Sequence, residues 1–322
     1  MTVESGVAPP GWPRVSVVVP TLNEARNLPH VFARLPADLH EVIVVDGHSL
    51  DGTLAVARSL RPDVRVVLQT RKGKGNALAC GFAVATGDVI AMVDADGSAD
   101  PQEIPRFVQA LIDGSDFAKG TRYAAGGGSS DLTRIRSLGN RALSAFVNLR
   151  YGTRYSDLCY GYNVFWRHIL PVLELDATSP ARADGVPLWG DGFEIETLIN
   201  IRVARAGLTV AEVPSFEHSR IHGISNLNAV GDGLRVLRTI LSEGRRSRRR
   251  AARPASQEQR RAPQAVSPGA LESAVCAPGG HESAVLGTLR EAGGNWSLPM
   301  LTAESPSPWQ IPEPAVDPIP PL

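Results

Sequence analysis

The sequence predicts an α/β protein, a mostly parallel β-sheet covered on both faces by helices. Two observations carry this prediction. Four short β-branched runs, "RVSVVVP" (14–20), "EVIVVD" (41–46), "VRVVLQ" (64–69) and "DVIAMVD" (88–94), are apolar without strict alternation, as strands buried on both faces are. The segments between them, "NEARNLPHVFARL", "SLDGTLAVARSLRP" and "KGNALACGFAVATG", are long enough for crossover helices, and repeated strand–helix–strand units with right-handed crossovers build such a sheet.

The elements follow in order. Pro29 makes the first helix begin late or kink, and Gly87 stops the third as a helix C-terminus. Asp100, Pro101 and Glu103 of "DPQE" form a capping arrangement that opens the next helix, so Asp100 is structural. A strand over "DFAKGTR" (116–122) leads into "YAAGGGSSD", a loop by its glycines. A helix over Ile135–Leu149, a strand near "GYNVFWR", a helix in "FEIETLINIRVARAG" and a strand in "LTVAEVPS" complete the set. Leu227, Val230, Leu234, Leu237 and Leu241 recur at spacings of three and four, one apolar stripe on a last helix.

Composition bounds the rest. The chain has 322 residues, 43% hydrophobic and 20% charged, which suits a soluble enzyme of one large or two small domains. Lys plus Arg and Asp plus Glu both total 33, so net charge gives no argument for a nucleic-acid partner. Cys80, Cys159 and Cys276 are odd in number and far apart, which fits buried thiols in a reducing cytosol rather than disulfides or a zinc site. No apolar run is long enough to span a bilayer, and "MTVESGVAPPGWP" has no signal-peptide pattern. Residues 1–12 read as a flexible N-terminus and 13–244 as the catalytic domain. Residues 245–322 hold about half of the 25 prolines, no Lys and no sustained periodicity, and read as a disordered tail opening on "RRSRRR".

In such a sheet ligands bind beyond the carboxyl ends of the strands, where "VDAD" sits. Asp94 and Asp96, two residues apart, repel one another unless a cation or donors neutralise them, and hard oxygen ligands suit Mg²⁺ or Mn²⁺ shared with a substrate's phosphates. The alternative is that both acids form Asx-turns. "RKGKGNAL" lacks both the spacing and the hydroxyl of a P-loop.

"VVVPTLNEARNLPHVF", "VIVVDGHSLDGT", "GKGNALACGFAVATGD", "MVDADGSADP" and "FAKGTRY", in that order, resemble the nucleotide-sugar half of family-2 inverting glycosyltransferases, whose GT-A fold has a Rossmann-like sheet. "DLCYGYNVFWR", "GFEIETLI", "AEVP" and "SRIHGISNL" resemble more narrowly the polyprenyl-phosphate sugar synthases, such as dolichol-phosphate mannose synthase. The resemblance implies that Pro20, Thr21, Asn23 and Glu24 lie around the nucleoside, Asp46 at the base and Lys74 in the nucleotide pocket. It implies a Mg²⁺ or Mn²⁺ on the Asp-X-Asp acids, Asp96 as direct ligand and Asp94 nearer the ribose or sugar. Ser98 stands where relatives add a Gln, Gly47 where the pattern has a second acid, and Asn226 where members often have Lys. Arg122, one of Arg134 and Arg136, and Arg220 with Ser225 nearby match groups facing phosphate, for which a guanidinium fork is well shaped. Asp157, Asp191, Glu194 and Glu196 match positions that orient acceptor or sugar hydroxyls.

The activity so implied is displacement at an anomeric carbon, with inversion. A hexose leaves a nucleoside-diphosphate donor of the GDP-mannose or UDP-glucose type for an oxygen acceptor. A polyprenyl phosphate needs no general base, its second pKa lying near 6, whereas a soluble alcohol requires one, Asp157 or Asp191. The stripe from Leu227 to Leu241 either packs on the core or, with "RRSRRR", lies against the anionic inner face of a cell membrane. A sugar-1-phosphate nucleotidylyltransferase is a remote reading, since "PTLNEARN" lacks a Gly-rich loop with Arg and Lys. A non-catalytic nucleic-acid binder using the Arg-rich tail is another.

Overall fold

A computed structural model describes residues 11–183, 188–223 and 229–251. Residues 1–10, Ser225, Asn226, Leu227, Cys276 and the tail beyond Ala251 lie outside the described residues.

Four strands alternate with three helices in the first part of the chain: β1 (Val15–Thr21), α1 (Leu28–Phe32), β2 (Glu41–Asp46), α2 (Thr53–Leu60), β3 (Arg65–Leu68), α3 (Lys74–Val84) and β4 (Val89–Met92). Then come α4 (Ile104–Ile112), β5 (Phe117–Thr121), β6 (Gly128–Ser129), α5 (Arg134–Tyr151), β7 (Asn163–Trp166), α6 (Leu170–Leu173), α7 (Ile195–Arg205), β8 (Val210–Pro214), β9 (Phe216–Glu217) and α8 (Ala229–Ala251). Seven strands form one sheet in the order β3-β2-β1-β4-β7-β5-β8, with β6 and β9 as a separate pair. All neighbours in the large sheet run parallel except β7, which is antiparallel to both β4 and β5.

The doubly covered sheet follows from the apolar runs. Val17 and Val19 point into one core layer with Val44, Ala91 and α4's Phe107, while Val18 points into the other with Ile43, Ile90 and α3's Leu78. Successive side chains of a strand face opposite ways, so an unbroken apolar run needs two cores. As Pro29 requires, α1 starts late, because residues 23–27 first turn through Asn23 at φ 57. Asp100 accepts from the Gln102 amide at 3.0 Å and is gripped by the Arg34 guanidinium, the structural role its spacing implies.

Two features differ from the sequence expectation. Helix α8 runs through the arginine block to Ala251, past the composition boundary at 244. Its buried face is Val236, Thr239, Ile240 and Glu243, while Leu234 and Leu241 are 63% and 46% exposed. The reason is polar: Glu243, 1% exposed, is drawn inward by Arg205 at 2.9 Å and Arg202 at 3.4 Å on α7, and this leaves Leu234 and Leu241 on the outer side.

Candidate active site

A cleft of about 690 Å³ opens beyond the carboxyl end of β4, roofed by α5, α8 and the segment after β9. Lys74, Asp94, Asp96, Ser98, Arg122, Arg136, Glu196 and Arg220 all line it, although 146 positions separate the first from the last.

Lys74 reaches the cleft because Gly73 and Gly75 flank it. A Cβ on Gly73 would come within 2.1 Å of the Asp191 carbonyl oxygen, and one on Gly75 within 1.8 Å of the Gly190 carbonyl oxygen. Only glycine permits that backbone approach, sealed by the Gly75 amide donating to Asp191 O at 2.8 Å. The Lys74 ammonium then lies 2.7 Å from Asp94 Oδ1 and 2.7 Å from Glu196 Oε1. Burial by itself would lower its pKa, but these two carboxylates overcome that and raise it. Burial pushes the Asp94 carboxyl up, with Asp96 and Glu196 reinforcing it and Lys74 opposing.

Asp96 divides its oxygens. Oδ1 accepts from the Ser98 amide at 3.0 Å, an Asx-turn, and Oδ2 faces Arg220 Nε at 3.6 Å. Arg220 also donates to Glu24 Oε1 at 2.6 Å, so one guanidinium ties the end of β1 to the acids after β4. Burial raises the Glu24 pKa, offset by Asn27 and Arg220 and reinforced by Asp96 and Asp94. The 218–221 segment is laid over these acids by backbone pairing, His218 N to Ser98 O at 2.8 Å and Ile221 N to Asp96 O at 3.2 Å. Ser98 thus contributes its backbone to the site.

A second charged cluster lies deeper. The Arg122 fork donates to Asp157 Oδ2 at 2.7 Å and Oδ1 at 2.8 Å, the Arg122 amide to Oδ2 at 3.1 Å and Asn140 Nδ2 to Oδ1 at 2.9 Å. The remaining Arg122 amine meets Glu217 at 2.9 Å, and its guanidinium lies 5.0 Å over the Tyr160 ring. Burial would raise the Asp157 pKa, but the Arg122 hydrogen bonds and charge hold it below the ordinary carboxylate value. A fully buried carboxylate with four donors and a depressed pKa is a poor general base. The sequence expectation gave Asp157 to acceptor hydroxyls; in the structure both its oxygens are engaged by Arg122 and Asn140.

Asp191 is likewise engaged by an arginine. It receives the Arg71 fork at 2.8 Å on each oxygen, with both groups buried. Of the two candidates Arg136 lines the cleft, held by Asp131 at 2.9 Å, and Arg134 lines the adjoining depression. Cys159 is exposed in the cleft wall rather than buried, while Cys80 is buried. Glu194 accepts from the amides of Gly190 and Gly192 at 3.1 and 3.3 Å.

Pro20 and Thr21 end β1 beside Val45 and Asp46 of β2, outside the cleft wall. Asp46 is 1% exposed and accepts from the Ser49 amide at 2.9 Å and the Thr21 hydroxyl at 3.3 Å. Asn23 accepts from the Leu50 amide at 2.9 Å. Sequence reasoning missed Arg71, Asn140, Tyr160 and Glu217. Glu217 carried no local signal, since the β6–β9 pairing alone brings it to Arg122.

The lining also includes apolar side chains, Leu132, Ile135 and Leu143 from α5 and its approach, Phe193, and Val236 of α8, interspersed with Arg136 and Arg235. Among the described residues, no cluster of three or more His, Cys, Asp or Glu converges as a metal site. The donors on offer for a cation are the two carboxylates of Asp94 and Asp96, with waters and substrate phosphate to complete a shell, which fits Mg²⁺ or Mn²⁺ better than zinc.

Comparison with known proteins agrees with this geometry. The profile of "Glycosyl transferase family 2" matches residues 16–171. A polyprenol monophosphomannose synthase of Mycolicibacterium smegmatis is 32% identical over 225 residues, 67% of this chain and 81% of that protein. An undecaprenyl-phosphate mannosyltransferase of Micrococcus luteus is 33% identical over 210 residues, 62% of this chain and 82% of that one. A crystal structure of glucosyl-3-phosphoglycerate synthase from Mycobacterium tuberculosis with Mn²⁺, uridine diphosphate and glucosyl-3-phosphoglycerate is similar with a TM-score of 0.54 at 25% identity, covering 71% of this chain and 79% of that one. The sheet order, the acid pair beyond β4 and these relatives together identify the chain as a member of glycosyl transferase family 2, a glycosyltransferase of GT-A fold.

Proposed function

We propose that the protein transfers a hexose from a nucleoside-diphosphate sugar to a polyprenyl phosphate, with inversion at the anomeric carbon. One observation carries the choice of acceptor: the same cleft is lined by both charged and apolar side chains, the latter Leu132, Ile135, Leu143, Phe193 and Val236. An acceptor with a phosphate at one end of a long apolar chain matches both. The carboxylates support the same reading, because each one lining the cleft already has a cation or amide partner, leaving no unpaired base among the described residues. A phosphate oxygen needs none.

On this reading Pro20, Thr21, Asn23, Glu24 and Asp46 frame the nucleoside at the carboxyl ends of β1 and β2. Asp96 and Asp94 hold a Mg²⁺ or Mn²⁺ ion, which when bound supplies Lewis-acid stabilisation of the diphosphate. Glu24, Asp94, Asp96 and Glu196 face only Lys74 and Arg220, an excess of acid that suits a divalent cation. Lys74 and Glu196 orient the donor, Arg220 turns to the leaving diphosphate, and Arg122 and Arg136 take the acceptor phosphate, where preorganised charge is most effective. Among the described residues no helix is long and apolar enough to cross a membrane. The exposed Leu234 and Leu241 of α8, beside Arg238 and Arg245, support contact with an anionic bilayer where such an acceptor resides. The second reading, a small soluble acceptor, is favoured by the glucosyl-3-phosphoglycerate synthase structures, three of which hold phosphoglyceric acid.

The test is incubation with Mn²⁺ and a panel of nucleotide sugars, with and without a short polyprenyl phosphate, followed by mass spectrometry. A hexosyl polyprenyl phosphate is the expected product; glycosylation of soluble alcohols or phosphoglycerate alone favours the second reading.

A further inference from the structure

Asn27 stands at the N-cap of α1, where an Asn side chain ordinarily accepts a hydrogen bond from the first turn of its own helix. Here it makes no such bond. Its side chain, 3% exposed, turns instead to a segment 195 positions away: Oδ1 accepts from the His222 amide at 2.9 Å, and Nδ2 donates to the His222 carbonyl at 3.1 Å. The same Nδ2 donates to Glu24 Oε2 at 2.5 Å, while Glu24 Oε1 receives both Arg220 amines, at 2.6 and 3.2 Å. One amide therefore holds the carboxylate that Arg220 grips and also the backbone two residues beyond Arg220. These contacts use both the donor and the acceptor end of the amide, which neither a hydroxyl nor a carboxylate reproduces. On its other side the segment is fixed to the loop after β4, through the His218 and Ile221 amides and through Ile221 resting on Gly97, where a Cβ would come within 2.5 Å of Ile221 Cδ1. Asn27 adds the tie to the end of β1, so Arg220 is carried between two anchors.

We propose that Asn27 is a positioning residue for the transfer reaction: by clasping His222 and Glu24 together it holds the Arg220 guanidinium beside the acids after β4, ready for the diphosphate of the donor. An arginine held in place before its ligand arrives has already lost the rotamer freedom that binding would otherwise cost. Asn27 gives up its local cap to do this, and the sequence alone shows only an Asn at a helix start. The inference rests on the reading that Arg220 turns to the leaving diphosphate, and it holds whatever the acceptor is.

Calorimetric titration of the full chain with UDP and with GDP, each with Mn²⁺, tests it in wild type, Asn27→Ser, Arg220→Ala and the double variant. Serine remains a good N-cap for α1 but is too short to clasp His222 and Glu24 together. For the nucleotide that wild type binds, Arg220→Ala is expected to weaken binding about tenfold or more and Asn27→Ser about fivefold, with the double variant within about twofold of Arg220→Ala alone, because residues acting through one another do not add. A purely structural Asn27 would instead give losses that multiply. If Asn27→Ser melts early by circular dichroism, Asn27→Asp serves: it is isosteric and also a good cap, but turns a carboxylate toward Glu24 and the His222 carbonyl. Wild-type affinity in a folded Asn27 variant, or multiplied losses in the double variant, overturns the proposal while leaving the role of Arg220 intact. Unchanged affinity in Arg220→Ala removes that role and overturns the proposal with it. A wild-type protein that binds neither nucleotide contradicts the nucleotide-sugar reading itself, and this inference falls with it.

Discussion

Two buried arginine forks stand at similar depth in this molecule, and only one of them lines the cleft. Arg71 grips Asp191 at 2.8 Å on both oxygens, and Arg122 grips Asp157 at 2.7 and 2.8 Å. Arg71 spends its remaining donors on the carbonyls of Ser179 and Asp176, at 2.7 and 2.5 Å, so every group it reaches belongs to the fold. Arg122 gives its last amine to Glu217 at the cleft wall and lays its plane over Tyr160. The first fork joins the loop after β3 to the loop before α7 and, through the Asp191 backbone, holds Gly75 and Lys74 in place. On the proposed reading the second, which lines the cleft, faces the acceptor phosphate. Identical pair chemistry therefore says little about role; what the remaining donors meet decides it.

Replacing each arginine by methionine separates the two. Both variants leave a buried carboxylate unpaired and are expected to lose about 3–5 kcal/mol of stability by denaturant titration. At a temperature where both remain folded, Arg122→Met is expected to lose about 100-fold or more in kcat/KM, as when one preorganised charge donor is removed. Arg71→Met is expected to stay within about threefold. Equal losses of activity would erase the distinction.

Acid titration sharpens it further. The folded-state pKa of Asp157 is depressed, chiefly by Arg122, so its contribution to stability is complete above the ordinary carboxylate pKa of about 3.9 and is lost as pH falls through the lower folded value. In Asp157→Asn the stability curve, followed by circular dichroism, should be lower at neutral pH and flatter across that acid window. A parallel acid limb in wild type and variant would contradict the pairing.

A third buried pair supplies a smaller effect. Glu243→Gln keeps one hydrogen bond to Arg202 or Arg205 but removes the charge that seats α8, and is expected to cost about 1–3 kcal/mol. Its kcat on a saturating donor should be unchanged. The smallest effect falls on Ser98: because the site uses its backbone amide and carbonyl, Ser98→Ala is expected to alter kcat and the Mn²⁺ requirement by no more than about threefold. A larger change would give the hydroxyl a direct role at the metal.

What the sequence could show tracks the same division. The parallel strands β1 to β4, the late start of α1, the Asp100 cap and the position of Asp94 and Asp96 beyond β4 were legible, because each rests on local periodicity or on a short motif. The partners of the charged residues were not. Asp157 and Asp191 read as hydroxyl-orienting or general-base candidates, and nothing local showed their partners Arg122 and Arg71, 35 and 120 positions away. The leucine stripe of α8 read as either a core face or a membrane face, and nothing local showed that Glu243 would be buried and Leu234 and Leu241 exposed. Buried ion pairs are set by tertiary approach, and a single sequence carries no period for them.

The central claim is transfer of a sugar to a phosphate oxygen with inversion. Its most direct measurement is the anomeric configuration of the product formed from an α-linked nucleotide sugar, Mn²⁺ and a short polyprenyl phosphate, read by proton NMR. The account predicts a β-linked glycosyl phosphate. An α-linked product, or transfer to hydroxyl acceptors with none to the polyprenyl phosphate, would contradict it.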